Sequence, residues 1–257
     1  GIMDPNIHLK FEAEGDLLAK KPCLIFHSNV DSIKTFPLHF TSSPFVYRGK
    51  ITSYMPAFDP DTLVGNVFIT ESLLLANNKR FSLDSVSMIA SFEKNIQNIH
   101  LYSDFAKASI LGKYKATQLG HIFFNAMLPY FAVNNDTIAN VTDPYDFIIS
   151  ADIKDHPTLM AFLPELNKME PITFNGVFSY HNGWESVLKV PYLSYGTKII
   201  SAMDIKANTR NEVLNVVADI GKMTSGENIT MTGTRFYADI EDQKIDFRLR
   251  IGDKEQL

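Results

Sequence analysis

The sequence predicts a mainly β (α+β) fold of antiparallel strands with two short helices. Apolar and polar residues alternate with period two in many segments, short turn sequences separate these segments, and the chain is rich in Phe (19) and Tyr (10). Alternation and aromatic enrichment are both typical of strands. With 257 residues, of which 45% are apolar, the chain has the composition of a folded protein and is long enough for one large β domain or two smaller ones.

The strongest alternation lies in the second half of the chain, between residues 172 and 251, where six strands are expected in an antiparallel meander. At its end, Ile245, Phe247 and Leu249 alternate with charged residues. Asn182-Gly183 is the clearest hairpin turn, because both residues tolerate positive φ. In the first half the alternation is less regular, and prolines interrupt it. The strands expected there lie near residues 7–14, 23–30, 45–53, 63–70, 81–92, 97–103 and 108–116.

Two segments have the apolar spacing of helices. The first is predicted at about residues 117–131, with Thr117 as its N-cap. The second is predicted at about residues 155–167, where Pro164 is expected to bend or end it. The loop near residues 132–144 is the best internal boundary. We therefore divide the chain into a first β segment (1–140) that ends in a helix, and a second segment (141–257) with a short helix and the six-stranded meander.

Charge and motif content argue against several functional classes. The net charge is −5 and no run of Lys or Arg exceeds two residues, which disfavours binding to nucleic acid. Cys23 is the only cysteine, so no disulfide can form within the chain. The seven histidines are scattered, and Asp59-Pro60-Asp61 lacks the spacing of a calcium loop. We find no catalytic motif, and we predict a protein that is not an enzyme and that needs no metal or cofactor.

The one-sided apolar strands are therefore the candidate functional feature. They fit either the core of a closed β-sandwich or the partly accessible face of an open, curved sheet. A glycosidase would need two carboxylates at a fixed separation, and the sequence singles out no such pair. The candidate residues of this groove or core face are Phe174, Phe178, Trp184, Leu188, Val190, Met203, Ile205, Ile245, Phe247, Leu249 and Ile251.

Several short motifs, taken in order, resemble the TamB family of AsmA-like, bridge-like envelope proteins of Gram-negative bacteria, in a divergent branch. They are Leu83-Asp84-Ser85 in a strand, Ser103-Asp104-Phe105 at a turn, the Gly112 to Tyr114 strand, Pro164 after a short helix, Phe174 to Phe178, and Ile245 to Leu249. The similarity spans most of the chain, with the motifs in the same order. It identifies the chain as an internal segment of a longer protein.

The resemblance implies a curved open sheet, shaped as a half-pipe or β-taco, with an apolar groove. It implies a non-catalytic segment of an envelope-spanning translocation and assembly module in the periplasm, anchored in the inner membrane through the full-length protein. Such a scaffold carries phospholipid or other apolar cargo, supports assembly of outer-membrane proteins with a barrel partner, or does both. The alternative is a closed β-sandwich that binds carbohydrate or protein.

Overall fold

The structure is a computed structural model that describes residues 1–252 except 17, 20–21, 42–43, 77, 131–142, 211 and 227–228. The chain forms two compact units. The first unit contains residues 1–109 and 156–164, and the second unit contains residues 110–155 and 165–257. The predicted boundary loop falls largely outside the described residues, and the division at residue 140 stays a prediction.

Sixteen strands of the described chain form one open antiparallel sheet, so the predicted mainly β fold with two short helices is confirmed. Strands that follow each other in sequence are neighbours in the sheet, except that β10 pairs beside β12. The strands are β1 (Ile2–Asp4), β2 (Ile7–Asp16), β3 (Cys23–Lys34), β4 (Phe45–Ala57), β5 (Val64–Ala76), β6 (Lys79–Glu93), β7 (Ile96–Ser103), β8 (Ala106–Lys113), β9 (Asp146–Ile153), β10 (Leu166–Met169), β11 (Ile172–Ser179), β12 (Gly183–Tyr195), β13 (Lys198–Arg210), β14 (Val213–Ser225), β15 (Ile229–Glu241) and β16 (Lys244–Arg250).

The six strands expected in the second half are β11 to β16, and the seven expected in the first half are β2 to β8. Three strands were not predicted. The first, β1, has only three residues. The second, β9, begins Asp-Phe-Ile-Ile, and its consecutive apolar residues hide the alternation. The third, β10, begins within the last residues of the segment predicted as the second helix.

Two hairpins of the described chain have two-residue turns with positive φ at both positions. These turns are Lys94-Asn95, with φ of 51° and 65°, and Asp242-Gln243, with φ of 47° and 62°. Such turns match the right-handed twist of the strands that they join. They therefore keep each strand next to its predecessor in sequence.

The helices are α1 (Leu119–Met127) and α2 (Leu159–Phe162), and both are shorter than predicted. The residue at the N-cap of α1 is Gln118, which follows a short 3-10 helix, so the prediction of Thr117 as the N-cap was wrong. The second helix ends because Leu163, which precedes Pro164, has left helical geometry, with φ of −126° and ψ of 77°. A residue before proline disfavours the helical region.

In the first unit, α2 packs on the apolar side of the sheet. Ala161 is buried against a cluster of Phe45, Leu74, Ala76 and Phe81, and the ring of Phe162 lies 5.6 Å from that of Phe45. Thr158, at the start of this helix, is fully buried. Its hydroxyl donates a hydrogen bond to the carbonyl oxygen of Ser82, at 3.1 Å. The helix is thus held by both apolar packing and a long-range hydrogen bond.

Irregular pairing crosses three neighbouring strands of the first unit. The register shifts between Val30 and Ile33 in β3 and beside Gly49 in β4. In β5, Glu71 has a φ of 51°. Bulges of this kind bend a strand and increase its twist. We conclude that the sheet of the first unit bends along this line.

The line of irregular pairing also explains two polar motifs in the first unit. Asp84 lies opposite Glu71, where the regular pairing of β5 with β6 is interrupted. Its N–H donates instead to the carboxylate of Asp104, at 2.7 Å. In the same turn, the hydroxyl oxygen of Ser103 accepts a hydrogen bond from the N–H of Ala106. These motifs satisfy backbone groups at a bend and a turn.

A second line of irregular pairing crosses the second unit through Pro191, Ala202, Gly221 and Gly233, where the ladders of β12 to β15 are interrupted. Ala202 and Gly233 have φ of 52° and 55°. A Cβ atom at Gly221 would lie 2.9 Å from that of Ala202. Proline also removes a ladder donor. The sheet of the second unit therefore bends where these four residues align.

Substitution of Gly183 by Ala is expected to destabilise the second unit by about 2–5 kcal/mol. Its φ is 73°, and a Cβ atom would lie 2.1 Å from the hydroxyl of Thr209, which accepts a hydrogen bond from the N–H of Trp184. The cost combines a left-handed alanine, about 1–2 kcal/mol, with a lost hydrogen bond, about 1–3 kcal/mol. Urea unfolding followed by the fluorescence of Trp184, the only tryptophan, measures the change in this unit.

The control is Gly226→Ala. Gly226 has a φ of 60° but no atom within 4 Å of an added Cβ, so only the backbone cost of about 1–2 kcal/mol is expected. Equal destabilisation by the two substitutions would contradict the role that we assign to the contact with Thr209.

Candidate functional site

Cross-strand pairing in the second unit places ten of the eleven candidate residues on one face of its sheet. Residues that lie directly opposite each other on adjacent strands point to the same side. One row of such residues crosses six strands and consists of Phe174, Leu188, Ile205, Ala218, Phe236 and Leu249. Neighbouring rows contain the pairs Phe178–Trp184, Val190–Met203, Ile240–Ile245 and Ala238–Phe247. We call this surface the apolar face. Ile251 directly follows β16.

The apolar face is buried in its interior and open at β16. Phe178 and Val190 are 7% and 3% exposed, and the candidates on β11 to β13 other than these two are half-buried. The four candidates at the end of the chain are exposed by 54–63%: Ile245, Phe247, Leu249 and Ile251. Their exposure follows from the position of β16, which has β15 on one side and no described strand on the other.

The helix α1 covers one end of the apolar face. The ring of Phe123 lies 5.1 Å from that of Phe178 and meets it edge to face, a favourable aromatic geometry. Ile122 is 1% exposed within the same cluster. The indole N–H of Trp184 donates to the carbonyl oxygen of Ala126, at 3.3 Å. The only tryptophan is therefore fixed beneath the helix and is half-buried.

Several buried residues of the apolar face were absent from the sequence-based set. Phe147 on β9 stacks on Phe178, with ring centroids 5.2 Å apart. Leu214, Ala238 and Ile240 form a cluster with Tyr130. The alternation in β14 and β15 was a usable signal for the last three, whereas the run of apolar residues around Phe147 hid its orientation.

The phenols at the covered end remain neutral. Burial raises the pKa of Tyr114 far above its ordinary value. Burial and the neighbouring Tyr180 also raise the pKa of Tyr145. A buried phenol avoids ionisation because the charged form loses its hydration. These rings therefore contribute apolar surface and no charge at neutral pH.

The opposite face of the same strands is charged. Asp219 accepts two hydrogen bonds from the guanidinium of Arg235, from Nε and from Nη2 (2.8 Å). Hydrogen bonds with Asp219 and Tyr237 raise the pKa of Arg235. Arg248 pairs with Asp239 at 3.6 Å. Solvent-exposed pairs of this kind contribute little stability each, but they mark this face as the solvated one.

A buried hydroxyl interrupts the apolar face. Thr234 on β15 is 4% exposed and lies opposite Ile220. Its Oγ1 has no hydrogen-bond partner among the described residues. A buried polar atom without a partner costs about 1–3 kcal/mol. Thr234 therefore lowers the stability of the second unit at this position of the apolar face.

The described part of the chain contains no group of three or more metal-ligating side chains. It also has no helix that is long and apolar enough to cross a membrane. Comparison of the chain with protein-family models, curated proteins and solved structures found no match. The structure thus defines a mainly β protein with an open antiparallel sheet, and its candidate site is the apolar face.

Replacement of Thr234 by Val is expected to stabilise the second unit by about 1 kcal/mol, because the methyl group keeps the shape and removes the unpaired hydroxyl. The matched control is Thr232→Val on the same strand. Thr232 is exposed, so its change should stay within about 0.5 kcal/mol. Urea unfolding monitored by Trp184 fluorescence measures both, and destabilisation by Thr234→Val would mean that the hydroxyl has a partner.

Proposed function

We propose that this chain is a non-catalytic segment of an envelope scaffold that carries phospholipid or other apolar cargo along the apolar face. The observation that carries the proposal is the one-sided row from Phe174 to Leu249. The row ends in exposed residues on β16 rather than under a second sheet. It offers a continuous apolar surface without a specific polar recognition group.

The physical chemistry of acyl chains supports this cargo class. Each buried CH₂ group contributes about 0.8 kcal/mol, so a surface several strands wide can hold an acyl chain through many weak contacts. The half-buried residues Leu188, Met203 and Ile205 supply branched and flexible side chains along this surface. Methionine adapts to irregular apolar ligands. Binding would therefore be collective, and no single side chain would be essential.

The cellular setting follows from the resemblance to the TamB family. We propose that the segment works in the periplasm, within a longer protein anchored in the inner membrane, and that the whole protein cooperates with an outer-membrane barrel partner. A carbohydrate- or protein-binding module is the competing function. Trp184, the side chain best suited to stack on a sugar, is half-buried and donates to Ala126, which disfavours a sugar platform.

The first test is organic extraction of the purified chain followed by mass spectrometry. We expect phospholipid in near-stoichiometric amount, and a severalfold lower yield from the Leu249→Asp variant, because a carboxylate on the apolar face must be desolvated by the lipid. Leu249 is 54% exposed, so this variant is expected to fold.

The control is Lys244→Asp, which introduces the same carboxylate on the charged face of the same exposed strand. This variant should retain the lipid of the unmodified chain. A lipid-free unmodified chain, or equal lipid loss in both variants, would refute binding at the apolar face.

A further inference from the structure

Besides the short outer edges of β1 and β10, two edges of seven residues each lack a partner strand within the described chain. One is the side of β16 that faces away from β15. The other is the part of β2 beyond Leu9, because β1 pairs only with residues 7–9. Every residue from Lys10 to Asp16 and from Lys244 to Arg250 is exposed. Neither segment contains a proline or a bulge, two of the usual protections of an exposed edge, and each is protected only by its charged side chains.

Hairpin geometry determines which backbone groups point outward at these edges. In a two-residue hairpin, the residues that flank the turn exchange hydrogen bonds, and the pattern then alternates. Glu241 and Lys244 flank the turn of β16, so Ile245, Phe247 and Leu249 direct their N–H and C=O groups away from β15. For β2, Asp4 and Ile7 flank the turn. The corresponding outward residues of β2 are Phe11, Ala13 and Gly15.

In both strands, the residues whose backbone groups point outward are the residues on the more apolar side of the strand. An antiparallel pair joins residues that both point outward. Pairing of the two edges therefore aligns Phe11 and Ala13 with apolar residues of β16, and it aligns the charged residues with each other on the opposite side. The two edges match in both backbone and side-chain pattern.

Opposite charge distinguishes this match from pairing of like edges. The free part of β2 has one cation (Lys10) and three anions (Glu12, Glu14 and Asp16), a net charge of 1 − 3 = −2. The strand β16 has three cations (Lys244, Arg248 and Arg250) and one anion (Asp246), a net charge of 3 − 1 = +2. Two β2 edges would repel each other, and so would two β16 edges, whereas a β2 edge and a β16 edge attract each other.

We propose that β16 of one copy of this chain pairs antiparallel with the free part of β2 in a second copy. In one register Glu12 lies opposite Arg250 and Glu14 opposite Arg248, while Ala13 meets Leu249 and one like-charge pair remains, Asp16 with Asp246. Shifting this register by two residues in one direction places Glu14 opposite Arg250 and Asp16 opposite Arg248, with no like-charge pair. Shifting it in the other direction places Lys10 opposite Arg250 and Glu14 opposite Asp246, and so creates two like-charge pairs.

This contact joins two different surfaces, so it leaves one free edge of each kind, to which further copies can add. The contact does not rest on the proposed lipid cargo. Association should rise with protein concentration and should weaken at about 1 M salt, where the Debye length is about 3 Å.

The test uses two charge-reversal variants, Glu12→Arg/Glu14→Arg and Arg248→Glu/Arg250→Glu. Their association is measured by sedimentation velocity and light scattering, with circular dichroism as the check of folding. Each variant alone should associate at least about tenfold more weakly than the unmodified chain, because its two edges then have the same sign of charge. An equimolar mixture should recover association, since each altered edge meets a complementary edge on the other variant.

Recovery in the mixture separates edge pairing from a folding defect, which mixing does not repair. A chain that stays monomeric over the accessible concentration range would overturn the proposal. Association that persists in either variant alone, or a mixture no different from its components, would also overturn it. Loss in the Arg248/Arg250 variant with none in the Glu12/Glu14 variant would indicate pairing between two β16 strands.

Discussion

Burial of one apolar sheet face in each unit is the constraint on which the rest of the structure depends. All described strands belong to a single sheet, so no second sheet covers the apolar residues as it does in a sandwich. In the first unit, Ala161 of α2 joins the cluster around Phe45 and Phe81. In the second unit, α1 covers Phe147 and Phe178. The buried clusters are consequently small and local, and apolar surface remains beyond each helix.

The interrupted pairings help to bury apolar surface that the two helices do not cover. A flat sheet exposes its whole face, whereas a bend brings side chains on the concave side closer together. In the second unit the interruption at Ala202 lies next to Met203, and Val190 opposite Met203 is 3% exposed without being part of the cluster under α1. A positive φ at a non-glycine residue costs about 1–3 kcal/mol. We infer that burial along the bend offsets this cost.

The sequence was sufficient to predict the strand class and most strands, because period-two alternation directly reports a sheet with one apolar face. It also identified residues that share a face, since register follows from that alternation and from two-residue turns. Three features depended on longer-range structure. The segment 166–169 joined β12 as β10 instead of extending α2, β9 had no alternation, and the cover over Phe178 came from a helix more than fifty residues earlier in the chain. Local pattern does not contain such contacts, and it did not reveal which end of the apolar face is open.

The two proposals concern different surfaces of the same strand, and the geometry of β16 connects them. Ile245, Phe247 and Leu249 present their side chains to the apolar face and their backbone groups to the free edge. Pairing of that edge would place Ala13 and Phe11 beside Leu249 and so widen the apolar surface without a new polar boundary. It would also remove solvent from side chains that are now more than half exposed, which increases the apolar area buried by a bound acyl chain. Edge pairing and cargo binding would therefore favour each other, and the exposure of β16 is the physical reason for both.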